Sequence, residues 1–209
     1  MNNITDELLK IVSNMPSDFK GAFNIREDSG CAGRRSSENI RIESKTDNPG
    51  INIYISAKAQ GETVYIPACV TKSGVNDLVY NDFFIEPGAD VIIVAGCGVH
   101  TEGEEESRHN GIHRFFLGKG ARALYKEKHI GTGGGTGARR IDPVTDMTLE
   151  EDAYFEMDTL QIGGVTSTNR TTNGRLGARA KLVIRERLMT DGDEIAESSF
   201  NVSLDGDDS

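Results

Sequence analysis

The side chains best suited to metal chemistry are concentrated in one short stretch of this chain. All four histidines lie between residues 100 and 129, and a cysteine stands just before them. Imidazole nitrogen, thiolate sulfur and carboxylate oxygen are the groups that bind transition metals in proteins. The sequence therefore predicts that any metal ligands come from one group of residues: Cys97, His100, His109, His113 and His129.

The spacing of this group matches no standard zinc module, because the chain has neither a paired C-x-x-C nor an H-E-x-x-H motif. Glu102, Glu105 and Glu127 could add oxygen ligands. A structural interpretation remains open. In that interpretation the histidines make hydrogen bonds at tight turns, and Cys97 is a small buried apolar residue.

Composition excludes several classes of function. The formal net charge of -10 argues against a nucleic-acid partner or an anionic membrane surface, since both need clustered lysine and arginine. No apolar run approaches the length of a membrane span, and the N-terminus lacks the pattern of a secretory signal. Three cysteines that are far apart predict free thiols and a cytoplasmic location.

The distribution of apolar residues predicts one helix followed by strands. Residues 4–15 place apolar side chains on one helical face, Thr5 or Asp6 could cap the start, and Pro16 ends the pattern. Most later segments alternate apolar and polar residues between Gly, Asn and Asp turns, as strands do. Within this pattern Glu127 and Glu186 occupy equivalent places, and we expect both to face outward in ion pairs.

A weak repeat underlies the predicted strands. Ala89, Ala121, Ala153 and Ala180 each begin a turn-to-strand step, at intervals of 32, 32 and 27 residues. Such periods favour a solenoid of stacked coils, here a parallel β-helix, over a β-sandwich with evenly spaced hairpins. Because His100 and His129 are 29 residues apart, we expect them on neighbouring coils.

Several long strings resemble the core domain of the SufB/SufD family of iron–sulfur cluster assembly proteins. The most specific is "VYNDFFIEPGADVIIVAGCGVHTEGEEESRHNGIHRFFLGKGARALYKEKHIGTGGGTG", and "EEDAYFEMDTLQIGGVTSTNRTT" and "RAKLVIRERLMTDGDEIAESSFNVSLDG" follow it. The resemblance covers roughly residues 35–209. It predicts a β-helix core domain there and an N-terminal helix with a lead-in segment over residues 1–34.

The resemblance implies an all-β fold, a right-handed parallel β-helix, in a cytoplasmic protein that is not an enzyme. It implies a scaffold or companion subunit for a transient iron–sulfur cluster, which pairs with a like chain and works with a SufC-type ABC ATPase. The family continues into further coils and a helical segment, so we expect this chain to be truncated at its C-terminus relative to it. The competing hypotheses are a metal-dependent enzyme that uses Cys97 and the histidines, and a purely structural fragment.

Overall fold

Short strands wind around the molecule in about five successive coils. The computed structural model describes all residues from 1 to 209. In chain order the elements are helix α1 (Asn3–Val12) and strands β1 (Phe23–Glu27), β2 (Gly30–Arg35), β3 (Ile40–Ser44), β4 (Gly50–Ile55), β5 (Gln60–Val70), β6 (Asn76–Ile85), β7 (Asp90–His100), β8 (Ser107–Leu117), β9 (Arg122–Thr132), β10 (Arg139–Ile141), β11 (Val144–Leu149), β12 (Tyr154–Gln161), β13 (Ser167–Leu176), β14 (Lys181–Leu188) and β15 (Ile195–Leu204).

The strands form two sheets that enclose the core. One sheet has the order β14-β12-β9-β7-β5-β1-β2, and the other has the order β10-β13-β11-β8-β6-β4-β3, with β15 beside β13. From β4 onward every pairing between coils is parallel. This arrangement confirms the predicted all-β solenoid with a short N-terminal helix.

The recurring alanines mark one corner of the solenoid. Ala89, Ala121, Ala153 and Ala180 are all buried, and each immediately precedes a strand of the first sheet. Inward-facing Val, Ile, Phe and Ala side chains from both sheets pack beside them in one cluster of 27 buried residues. The 32-residue interval is therefore the length of a complete coil, as the repeat predicted.

Helix α1 begins and ends earlier than expected. Its N-cap is Asn2, whose side chain accepts a hydrogen bond from the Thr5 amide at 2.8 Å, so the predicted cap at Thr5 or Asp6 is wrong. The helix packs on the outer face of β7, where Gly98 lies under Leu8. A Cβ at Gly96 would come within 2.7 Å of the Val12 carbonyl oxygen, and one at Gly98 within 2.8 Å of the Leu8 side chain, so the close approach of the helix depends on these glycines. No helix has the length and apolarity needed to cross a bilayer.

The two ends of the solenoid differ. At the N-terminal end, β1 pairs with β2 and β3 pairs with β4 in antiparallel fashion, and β1 also joins β5 in parallel. At the other end, β14 and β15 each have a single neighbouring strand. Phe200, Val202 and Leu204 of β15 are 46%, 41% and 63% exposed, as the sequence predicted for an uncovered coil.

Candidate metal centre

A group of polar side chains replaces the apolar core in one part of the solenoid interior. Inward positions alternate along each strand, so Cys97 of β7 and His129 of β9 face the interior as the apolar Val91 and Ala123 do. Strands β6, β8 and β13 contribute the opposite wall. We call this group the polar compartment; its members are Asp77, Cys97, His109, His113, Tyr125, Glu127, His129 and Arg170.

Three different metal-binding groups approach one another on β7 and β9. The Cys97 sulfur, a Glu127 carboxylate oxygen and a His129 ring nitrogen all lie within 4.8 Å of one another. Cys97 and His129 are direct partners in the strand register, and Glu127 is two residues before His129 on the same face. Because the group is buried, the negative charge of the Glu127 carboxylate must be balanced by other groups inside the protein.

Arg170 supplies the balancing charge from the opposite sheet. It is 1% exposed, and its Nη1 donates to Glu127 Oε2 at 2.9 Å while its Nε lies 2.8 Å from Glu186 Oε1. Tyr125 donates its hydroxyl proton to Glu127 Oε1 at 2.8 Å. Burial alone would raise the pKa of Glu127, but the adjacent His129 ring and the Arg170 guanidinium hold that pKa well below its usual range. Glu127 is therefore a carboxylate whose two oxygens are both engaged.

The hydrogen bonds of His129 identify its tautomer. Arg170 Nη2 donates to His129 Nδ1 at 3.3 Å, so Nδ1 uses its lone pair there. Burial lowers the pKa of His129 despite the nearby Glu127, so the ring is neutral and carries its proton on Nε2. Nε2 lies 3.2 Å from Glu127 Oε1 but outside hydrogen-bond geometry. In this state His129 has no lone pair available for a metal.

His109 is oriented by a carboxylate on the neighbouring strand. Asp77 Oδ2 accepts a hydrogen bond from His109 Nδ1 at 3.0 Å, and Arg26 holds Asp77 with Nε at 2.8 Å and Nη2 at 2.6 Å. Burial would raise the pKa of Asp77, but the hydrogen bonds from His109 and Arg26 lower it well below its ordinary value. With its proton on Nδ1, a neutral His109 has its lone pair on Nε2.

Tyr125 orients His113 as Asp77 orients His109, through a hydrogen bond at Nδ1. The Tyr125 oxygen lies 3.1 Å from His113 Nδ1, and its own proton is donated to Glu127, so His113 Nδ1 is the donor in this contact. Burial lowers the pKa of His113 to about 4, and the ring is neutral near pH 7. Its lone pair is then on Nε2, as in His109.

The two Nε2 atoms lie over a glycine between them on β8. A Cβ built on Gly111 would come within 2.7 Å of His113 Nε2 and 3.5 Å of His109 Nε2. A cavity of about 10 Å³ lies beside them and is lined by Cys97, His109, His113 and Asn81, among others. This volume suits one water molecule or one ion.

The thiol of Cys97 is protonated in the metal-free protein. Burial, followed by the Glu127 carboxylate, raises the pKa of Cys97 well above its ordinary value. A metal ligand must be a thiolate, so an ion that binds Cys97 has to displace this proton.

The structure brings four of the five predicted residues together and leaves one apart. His100 faces outward at the end of β7, where its Nδ1 lies 2.9 Å from Thr132 Oγ1 and its Nε2 lies 3.2 Å from Glu102. His100 and His129 do lie on neighbouring coils, as expected, but the register of β7 and β9 pairs His100 with Thr132. All three cysteines are free thiols, as predicted.

Sequence reasoning placed one member of the polar compartment wrongly and missed others. Glu127 and Glu186 do occupy equivalent places, but both face the interior near Arg170, so the expected outward ion pairs are wrong for them. The alternation along β9 could have shown this, because Glu127 is two residues after the buried Tyr125 and therefore points to the same face. Asp77, Tyr125 and Arg170 were not identified. Arg170 is two residues after the buried Thr168 on β13, so the alternation along this strand could have identified it as inward-facing.

Comparison with known proteins gives no relative: no protein-family model, no curated protein and no solved structure matches this chain.

Proposed function

We propose that this chain is a non-enzymatic scaffold or companion subunit in iron–sulfur cluster assembly, and that its polar compartment holds iron. The observation that carries the proposal is the position of Cys97, which faces His129 on the next strand and lines one cavity with His109 and His113. Thiolate with imidazole is a ligand combination that suits iron and zinc. The resemblance of residues 35–209 to the SufB/SufD family supplies the biological context.

The location of the thiol favours holding an ion over catalysis. Cys97, His109 and His113 are at most 4% exposed, and they lie between two sheets rather than in an open cleft where a substrate could enter. The cavity beside them has about the volume of one water molecule. A single iron ion fits such a space, whereas an assembled cluster, with its several iron and sulfur atoms, needs more room.

The proposed partners follow from the resemblance and from the exposed end. A like chain is the first partner, and the apolar side chains of β15 give it a surface to bind. A SufC-type ABC ATPase is the second. The proposed location is the reducing cytoplasm, where three free thiols are stable.

Anaerobic reconstitution with ferrous iron and sulfide tests the proposal. We expect the wild-type chain and Cys31→Ser to retain iron after desalting, and Cys97→Ser to lose it. Cys31 is the matched control because it is an exposed thiol outside the polar compartment. Wild-type protein that retains no iron, with or without sulfide, would contradict the proposed function.

A further inference from the structure

We propose that Cys97, Glu127 and His129 bind one divalent transition-metal ion, such as Zn²⁺ or Fe²⁺, between strands β7 and β9. This site deepens the proposed function and rests on it only for the identity of the ion as iron, because binding itself requires neither sulfide nor a partner protein. The ion has three protein ligands, and His109 and His113 lie outside its coordination sphere.

The first support is the convergence of three ligand atoms that the parallel ladder positions. The Cys97 sulfur, a Glu127 oxygen and a His129 ring nitrogen lie within 4.8 Å of one another. Cys97 and His129 are register partners, and Glu127 is on the same face of β9, so two neighbouring strands hold all three. Two ligands of a tetrahedral zinc ion lie roughly 3.3–3.6 Å apart. A small contraction therefore brings the three atoms to bonding distance from one ion.

The second support is a buried nitrogen that has no hydrogen-bond partner. His129 is fully buried, and its Nε2 makes no hydrogen bond although Glu127 Oε1 lies 3.2 Å away. An unpaired polar atom inside a protein is costly, so Nε2 needs a partner that the chain does not provide. The separation of Nε2 from Oε1 is close to that of two ligands on one tetrahedral ion, and a metal between them satisfies both atoms.

The third support is the position of Arg170, which contacts the other oxygen of Glu127 and the other nitrogen of His129. Arg170 lies 2.9 Å from Glu127 Oε2 and 3.3 Å from His129 Nδ1, whereas the ion bridges Oε1 and Nε2. Tyr125 donates to Oε1, and a carboxylate that binds a metal commonly keeps a hydrogen bond of this kind. Ion binding through Nε2 moves the ring proton to Nδ1, so Arg170 gives up its 3.3 Å contact and keeps its two carboxylates.

The fourth support is the balance of charge. Arg170 pairs with two carboxylates, Glu127 at 2.9 Å and Glu186 at 2.8 Å, so this part of the interior has one negative charge in excess. A divalent ion that displaces the Cys97 proton and binds a neutral His129 adds one net positive charge. The two charges balance, so the ion leaves no uncompensated buried charge.

Three protein ligands leave one position of a four-coordinate ion open. Structural zinc sites have four protein ligands, whereas sites that act on a further ligand keep one position for water or substrate. Under the proposed function, sulfide is the ligand that takes this open position.

Titration of the metal-free full chain with Co²⁺, without sulfide, tests the proposal. We expect one Co²⁺ per chain in the wild type, with the absorption of a thiolate-bound, four-coordinate ion. Stoichiometric binding should be lost in Cys97→Ser, Glu127→Gln and His129→Gln. Binding that survives in both Glu127→Gln and His129→Gln, or a wild type that binds no stoichiometric Co²⁺, would overturn it.

Each ligand variant has a matched control of the same residue type. Glu186→Gln removes the other carboxylate that pairs with Arg170, and His109→Gln removes a buried histidine whose Nδ1 bonds Asp77. Cys69→Ser removes a second buried thiol. All three control variants should bind one Co²⁺ per chain, as the wild type does. Loss of binding in a folded His109→Gln protein would place the ion elsewhere and contradict the proposal.

X-ray absorption on zinc-loaded wild-type protein identifies the ligands even if a variant fails to fold. The proposed site gives one sulfur, one imidazole and oxygen ligands around the metal. Two imidazoles, or no sulfur, would overturn the proposal. A wild type that binds zinc in this way but retains no iron after reconstitution would reject only the proposed function. Iron retained by both Glu127→Gln and His129→Gln would reject only this set of ligands.

Discussion

Cys97 and His129 occupy the same inward position on two neighbouring strands, β7 and β9. They are separated by one coil of 32 residues, the interval that also separates Ala89 from Ala121. The same interval places His109 opposite Asp77. Residues that are distant in sequence are thus stacked about 4.8 Å apart by the parallel ladder. This stacking assembles the polar compartment within a few coils.

Replacement of Arg170 should cost much of the stability of the fold. Arg170→Met leaves Glu127 as a buried carboxylate without its cation, which costs about 3–5 kcal/mol in the free energy of unfolding. Adding Glu127→Gln to this variant should recover part of the loss, since the unpaired charge is removed. Urea unfolding of the three proteins measures both effects.

The control for this prediction is on the same strand. Arg175 pairs with Asp205 at 2.9 Å, but its side chain is 74% exposed. Arg175→Met should change stability by about 1 kcal/mol or less, because water screens an exposed pair. Equal losses for the Arg170 and Arg175 variants would refute a special role for the buried guanidinium.

Acid should destabilise the metal-free protein from about pH 6.5 downward. The pKa of folded His113 is about 4, whereas an unfolded histidine has a pKa of 6.5, so between these values the unfolded chain binds more protons. The stabilisation is complete above pH 6.5 and declines as pH falls towards 4, by about 3 kcal/mol for this residue. Unfolding free energies measured with a chelator in His113→Gln should have a shallower slope with pH. His100→Gln, outside the polar compartment, should keep the wild-type slope.

The fold was largely predictable because it follows two regular patterns in the sequence, the two-residue alternation along each strand and the repeat of about 32 residues between coils. Alternation along each strand identifies which residues are inward, and the alanines at the corners report the coil length. The antiparallel pairs β1–β2 and β3–β4 were not predicted, since hairpins and coils share the same alternation. Helix α1 starts earlier than expected because Asn2 competes successfully with Thr5 and Asp6 as its cap.

The site was predictable along each sheet but not across the interior. The 32-residue interval pairs Cys97 with His129. The 29 residues between His100 and His129 correctly placed these two on neighbouring coils, although the register pairs His100 with Thr132. The contact between Arg170 and Glu127 joins opposite sheets. That contact depends on how side chains from the two sheets pack against each other. No repeating interval in the sequence predicts which residues meet across the interior.

The three cysteines should differ in reactivity. Cys31 is exposed, whereas burial, with the nearby charges of Glu27 and Asp28, raises the pKa of Cys69 to about 12. At pH 8 iodoacetamide should modify one thiol of the native chain rapidly, and Cys31→Ser should remove that reaction. All three thiols should react in denaturant without reductant. A single reactive thiol in denaturant would instead reveal a disulfide.

The uncovered last coil should make the chain associate. Phe200, Val202 and Leu204 present apolar surface beside the unpaired backbone groups of β15, and such an edge recruits another chain. Light scattering at tens of micromolar should find a dimer or larger assembly for the wild type. Val202→Lys with Leu204→Lys should give a monomer, because two desolvated ammonium groups would oppose pairing. Leu78→Lys is the control, since Leu78 is similarly exposed at 41% but lies on β6, away from this end. A monomeric wild type would contradict the prediction, as would a Leu78 variant that dissociates as readily as the double variant.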